Sequence, residues 1–433
     1  MRIKRTLAGA AIAALALTTL AACGDDGDSD SDGSSGDGGP QTADIRVWLN
    51  GTDTPQEARD WLKKTFEEQN EGSTLTIEQQ EWDGLVEKLT TSLASESETP
   101  DVVEIGNTQA PTFTAAGAFS DLTDQLDDLG GDDLLQGFVD GATVDGATYA
   151  VPYYAGSKYI FYRKDLFEKA GIADVPTTME EFVDTAIKLK QANPKPANFS
   201  GFWFPGQDWR NGAAFVWDAG GDLATEDGGE WTASLSSDAS IAGLETAQKL
   251  FTQASGAPKD GNEADPWTPF CAGEVGMMST PGWVKGLIED PKSGCPDTYA
   301  KQIGVFAMPG SDGSPAPVLL GGSDIAIAAK SANQGLAAKA VALMLSDDYQ
   351  SILAKNGLTP AKSSLASLLG DDEFAQATIA AASNAKLTPA APGWANVEGS
   401  RVLEDLFSAI AQGGDVRKLA ADADEQMNSQ LNG

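Results

Sequence analysis

An α/β fold is predicted from three observations. Short runs carry apolar residues at every second position, longer runs carry them at helical spacing, and the two alternate from residue 44 onward. Ile45, Val47 and Leu49 mark the first strand, within Asp44 to Asn50. Pro55 then opens a helix with Ala58, Trp61, Leu62 and Phe66 on one face, proline sitting naturally in a first turn. Leu75-Thr76-Ile77 reads as a second strand, and residues 83–96 as a second helix with Leu85, Leu89 and Leu93 four apart. Pro100 and Asp101 introduce a third strand, Val102-Val103-Glu104-Ile105. This order gives a parallel sheet, and ligands of such sheets bind beyond the carboxyl ends of the strands. Those ends are Asn50-Gly51-Thr52, Glu81-Trp82 and Gly106-Asn107-Thr108. None is a GxGxxG or a P-loop, so nucleotide phosphates are not indicated.

Composition narrows the chemistry. The 433 residues allow two or three domains with ample cores. With 29 Lys+Arg against 64 Asp+Glu the formal charge is −35, which opposes binding to nucleic acid and to anionic lipid. There is no histidine, so every triad or metal site that needs an imidazole is excluded. Carboxylate-only chemistry and binding without chemistry remain. No cofactor and no metal are expected.

The first 42 residues read as an address and a tether. Arg2, Lys4 and Arg5 precede a largely apolar run from Leu7 to Leu20, too short for the roughly 20 residues that span a bilayer. Leu20-Ala21-Ala22-Cys23 resembles the lipobox of bacterial lipoproteins, which implies a signal peptide over 1–22 and a lipidated Cys23 as mature N-terminus. Losing the three cations of 1–22 takes −35 to −38. Gly24 to Thr42 has nothing apolar to bury and is expected to be a disordered acidic tether, reaching at most ~65 Å. Asp28-Ser29-Asp30-Ser31-Asp32-Gly33 begins like an EF-hand loop, but Gly39 stands where its final Glu belongs. Cys271 and Cys295 remain, and in an exported protein they are expected to pair, the alternative being two buried thiols.

Further along, Thr177 with Glu180 three residues on reads as a helix start, and 241–252, 337–345 and the last 35 residues read as helical. No internal repeat stands out. The ordered set of VWLNG, PDVVEIGN, YAVPYYAGSKYIFYRKDLFEKAGI, FCAGEVGMM with Gly282-Trp283, and IGVFAMPG with Gly321-Gly322-Ser323 resembles the extracellular solute-binding proteins of carbohydrate ABC transporters, the family of maltose-binding protein. The resemblance implies a type II two-lobed clam shell, each lobe a sheet flanked by helices, that closes on a sugar and passes it to a membrane permease. It implies one lobe from 43–153 and 305–350 and another from 154–304 and 351–433. It further implies a non-enzymatic monomer held by lipid at the extracytoplasmic face of the cell membrane.

A sugar offers apolar C–H faces and a belt of hydroxyls, so its site needs flat aromatics, acids, amides and hydroxyls. Trp283 matches the family's stacking tryptophan, and Trp394 a late aromatic of such sites. Asn107, Gly322, Ser323, Glu81 and Trp82 fall at expected cleft positions. Tyr154 lies at the expected hinge, and Asp208 with Trp209 is placed to cap the ligand from the second lobe. Trp48, Trp61 and Trp217 are expected in the core, and Arg401 in a surface ion pair. The aromatics favour an oligosaccharide, such as a chito-, xylo- or gluco-oligosaccharide. Two rivals are a secreted glycoside hydrolase, needing two carboxylates about 5–10 Å apart, and a binding protein for a phosphorylated polyol, needing clustered cations.

Overall fold

The computed structural model describes residues 42–82, 84–290, 294–296 and 301–433. The signal peptide, lipidated Cys23 and tether expected from sequence lie outside the described residues, Thr42 at the end of the tether excepted. Thr42–Gly433 is one compact unit.

Its first sheet starts as expected. Strand β1 (Asp44–Asn50) lies between β2 (Thr74–Gln80) and β3 (Val102–Gly106), parallel to both. Helices α1 (Gln56–Gln69), α2 (Leu85–Leu93) and α3 (Ala110–Ala115) follow the three strands. The alternation in β1 separates two buried faces rather than core from water. Ile45, Val47 and Leu49 pack with Leu62 and Phe66 of α1, while Trp48 packs with Leu85 and Leu89 of α2.

Beyond β3 the sheet turns antiparallel. Strand Leu320–Ile327 pairs with β3 and then with the long strand Ala150–Arg163. That fourteen-residue strand serves two sheets. Residues 150–157 pair with Leu320–Ile327, whereas 158–162 pair with Val275–Pro281 and 160–163 with Ile303–Phe306. Ser200–Trp203 completes the second sheet, parallel to Val275–Pro281.

The hydrophobic cores divide at the same place. Val151, Tyr153 and Tyr154 belong to the first, Tyr159, Ile160 and Phe161 to the second, which also holds Trp209, Phe215, Trp394 and Phe407. The Ala155–Lys158 stretch therefore joins two lobes, each a sheet flanked by helices. The register shifts between Ser323 and Asp324, so Tyr153 is an extra residue in the long strand. This bulge turns Tyr153 and Tyr154, adjacent in sequence, into one core with ring centroids 4.9 Å apart.

Two segments lie across the division from the lobes expected for them. Met308, Ala316, Val318 and Leu319 pack in the second core, because Ile303–Phe306 is an edge strand of the second sheet. Ile352, Leu353, Leu358 and Ala361 pack in the first core, because Thr359–Pro360 pairs with Tyr154–Ala155. A smaller correction concerns the helix Met179–Ala192, whose N-cap is Thr178 rather than Thr177. The Thr178 hydroxyl accepts from the Glu181 amide, and the Glu181 carboxylate takes both the amide and the hydroxyl of Thr177.

Candidate ligand-binding site

The carboxyl ends of β1 and β3 carry a flat aromatic surface. The Trp82 indole lies across Gly51 and Gly106, and its Nε1–H donates to Asp53 Oδ2 at 3.2 Å. Gly51 has φ +52°, and a Cβ there would sit 3.0 Å from Trp82 Nε1. The strand end thus demands glycine on two counts. Trp82 is 37% exposed, unusual for so large an apolar side chain.

Beneath this platform sit two acids, Glu104 wholly buried and Asp53 half-buried. The Tyr154 hydroxyl lies 2.9 Å from Glu104 Oε1 and 3.3 Å from Asp53 Oδ2. Glu104 Oε2 accepts the Asn50 amide at 2.7 Å. Burial pushes the Glu104 carboxyl up to about 7, against hydrogen bonds from Asn50 and Tyr154, with the neighbouring Asp53 pushing the same way. Burial likewise raises Asp53, against its bonds from Trp82 and Tyr154 and the field of Arg59. Asp324, one strand over and wholly buried, is raised well above the carboxylate range by burial alone.

The second lobe faces the seam with paired charges. Arg210 Nη1 donates to Glu263 Oε1 at 2.8 Å, and Nη2 stands 3.7 Å from Glu398 Oε1. Lys158 Nζ bridges Glu263 Oε2 at 2.5 Å and Asp208 Oδ1 at 3.8 Å. Burial opposes ionisation of Glu263, but Lys158 and Arg210 outweigh it and hold the carboxyl down. For Asp208 burial wins over Lys158, and the carboxyl is raised. Arg210 also stacks 4.7 Å over the Trp209 ring, a cation–π contact.

Between the lobes, Thr108 Oγ1 donates to Glu398 Oε2 at 3.0 Å, and the Ala395 amide donates to Thr112 Oγ1 at 3.2 Å. A cavity of about 30 Å³ lies beside Asn107, between Phe138 and the Leu387–Ala390 segment, room for about one water.

The expected site residues divide among these regions. Trp82 and Tyr154 belong to the platform with Ser323, while Glu81 is exposed beside it. Gly322 serves backbone packing, since a Cβ would lie 2.4 Å from the Tyr154 carbonyl. Asn107 donates its side-chain amide to the Leu320 carbonyl at 3.2 Å. Asp208 is 2% exposed and caps the helix Trp209–Asp218, accepting the Asn211 amide at 3.0 Å, so its carboxylate is committed to the fold. Trp209 and Trp394 are buried edge to face, centroids 6.3 Å apart, each with an indole N–H that meets no acceptor. Trp283 is half-buried against both cores and T-shaped on Trp267, on the loop that follows Val275–Pro281.

Cys271 and Cys295 form a disulfide, which ties the helix Trp267–Cys271 to the segment beyond Trp283. Trp48 and Trp217 are in the core, whereas Trp61 is half-buried against it. Arg401 donates to the Gln207 amide oxygen at 2.9 Å instead of the ion pair expected for it.

Asp53, Glu104, Lys158, Arg210, Glu263 and Glu398 were not anticipated from sequence. A signal existed for two of them. Asp53 follows a strand end already singled out, and Glu104 is an acid inside an otherwise apolar strand.

Two lobes sharing one long strand, with polar strand ends facing the seam, define the type II class of solute-binding proteins. Solved structures of that class superpose on nearly the whole folded chain. The acarbose receptor GacH of Streptomyces glaucescens does so with a TM-score of 0.77 at 21% identity, over 90% of this chain and 99% of the other. A Thermotoga lettingae solute-binding protein bound with tagatose also reaches 0.77, at 22% identity over 90% and 100%.

The chain belongs to the family of bacterial extracellular solute-binding proteins, whose model matches residues 50–351. It is similar to the diacetylchitobiose-binding protein DasA of Streptomyces coelicolor, 34% identical over 99% of this chain and 98% of that one. A lactose-binding protein of Rhizobium radiobacter is 26% identical over 68% and 70%. The family is one of binding proteins that work outside the cytoplasm. Among the described residues no helix is long and apolar enough to cross a membrane.

Proposed function

We propose that this protein captures a short oligosaccharide, a chito-oligosaccharide of two or more units first among the candidates, and delivers it to the permease of a carbohydrate ABC importer. The observation that carries this reading is the Trp82 platform edged by Asp53, an apolar face for a pyranose beside an acceptor for its hydroxyls. The full-length similarity to a diacetylchitobiose-binding protein narrows the sugar. Trp283 supplies a second aromatic near the hinge, the buried Trp209 and Trp394 back the second-lobe side from within its core, and Glu81, Asn107, Ser323 and Tyr154 line or support the first-lobe side. Lys158 and Arg210 are both engaged by carboxylates, which argues against a phosphorylated polyol.

The same arrangement argues against hydrolysis. Asp53 and Glu104 share the Tyr154 hydroxyl, but Glu104 is wholly buried and cannot reach a glycosidic oxygen. The proposed first lobe comprises 42–154 and 320–369, and the second 159–319 and the residues from 373 on, with Cys23 as lipid anchor to the extracytoplasmic membrane face. The protein acts as a monomer.

Calorimetric titration with N,N′-diacetylchitobiose, maltose, cellobiose and xylobiose tests the proposal. Saturable one-to-one binding of the chito-sugar without product release is expected. Heat from none of the four, or release of monosaccharide, sinks it.

A further inference from the structure

The seam between the lobes holds a contact that the capture of a sugar does not itself require. We propose that Thr108, Glu398 and Arg210 form a closure latch, a relay across the seam that sets how long the lobes stay together without touching the ligand. This rests on the reading that the lobes close over a solute. Thr108 stands immediately beyond β3 in the first lobe, and Glu398 on the helix Trp394–Ser400 of the second. Two hydrogen bonds cross the seam here, from the Thr108 hydroxyl to Glu398 and from the Ala395 amide to Thr112. Thr112 lies on α3 and Ala395 on the same helix as Glu398, so two helices of opposite lobes are pinned side by side.

The second-lobe half of the latch is held by its own lobe. The Glu398 side chain is 7% exposed, and Arg210 holds it from behind while itself anchored on Glu263. Glu263 is in turn bound by Lys158, which sits on the strand that joins the lobes. A carboxylate held this way meets an incoming hydroxyl with little further ordering, and a hydrogen bond to a charged acceptor is stronger than one between neutral groups. When the lobes part, Thr108 Oγ1 leaves Glu398 Oε2 and both return to water. The latch therefore acts on dissociation, which requires opening, and leaves association nearly unchanged.

Thr108→Val and Glu398→Gln test this in the full chain, with N,N′-diacetylchitobiose as probe and dissociation followed by stopped-flow fluorescence. Either variant is expected to release the sugar about 3- to 10-fold faster at an unchanged association rate. The same factor is expected for any other sugar that binds, and Thr108→Ser is expected to restore the original rate. An unchanged release rate, or an effect confined to one sugar, overturns the latch, since the latter would mean direct contact with that ligand. Hydrogen exchange of the Ala395 amide in ligand-free protein gives a reading that needs no sugar. Faster exchange in Thr108→Val, reversed in Thr108→Ser, supports the latch even where every sugar fails and the proposed ligand class falls. Unchanged exchange overturns the latch.

Discussion

The two lobes meet the seam with carboxyls that differ in their partners, and among the described residues those of the second lobe alone pair with cations. In the first, Glu104, Asp53 and Asp324 are carboxyls raised by burial, and hydrogen bonds rather than cations are the closest partners of Glu104 and Asp53. In the second, Lys158 and Arg210 hold the Glu263 carboxyl down, while burial still raises Glu398 and Asp208 beside them. The first lobe also carries the exposed Trp82, while the second keeps Trp209 and Trp394 inside. A neutral polyol can be received on the first surface without displacing a salt bridge. The second surface is stiffened by its own pairing and suits a rigid lid.

Removing the central cation breaks this contrast hardest. Arg210→Ala leaves Glu263 and Glu398 facing each other. Breaking a buried pair costs about 3–5 kcal/mol, and the one-third exposure of Arg210 lowers the expectation to about 2–3 kcal/mol. Urea unfolding checks it, and an unchanged midpoint would show the network to be idle.

In the first lobe the contrast is sharpened by pH. The Glu104 carboxyl is raised from 4.5 to about 7, so the folded state holds a proton that the unfolded state has lost between those values. Stability therefore falls as pH rises through this window, by up to about 3 kcal/mol. Thermal unfolding of ligand-free protein from pH 4 to 8 should show this slope, and Glu104→Gln should flatten it. A slope of the opposite sign would place the charged form of Glu104 in the native state.

Trp82→Ala is expected to weaken binding of the chito-sugar by about 1.5–2 kcal/mol, at least tenfold, with little change in stability because the ring is already partly exposed. Calorimetry with the same probe decides it. Gly51→Ala has the smallest effect, about 1 kcal/mol of stability from the positive φ, with some loss of affinity as the indole is pushed off its seat.

The fold was largely legible because its signals are local. Period two in β1, leucines four apart in α2 and two cysteines left over each need only a short window of sequence. The long strand was legible as a crossing only through the family pattern. Nothing in the order Tyr154-Ala155-Gly156-Ser157-Lys158 announces that hydrogen-bond partners change there. The site was less legible for the same physical reason. Residues 158, 210, 263 and 398 meet only after the chain has crossed between lobes more than once, and 64 acids conceal the few that matter. Asp208 reads in sequence as a ligand group, yet it is the cap of a helix, a role that depends on which backbone amides lie within reach.

The strand Leu320–Ile327 separates β3 from the long strand, though more than two hundred residues of chain lie between it and β3. As the polypeptide emerges, β3 and the first half of the long strand are complete early and must each wait with an unpaired edge in the middle of the future sheet. Such edges are templates for mispairing, and the wait is long because the closing contact is so distant in sequence. The order of synthesis thus withholds the finished first lobe until most of the second has been made, its C-terminal helices excepted.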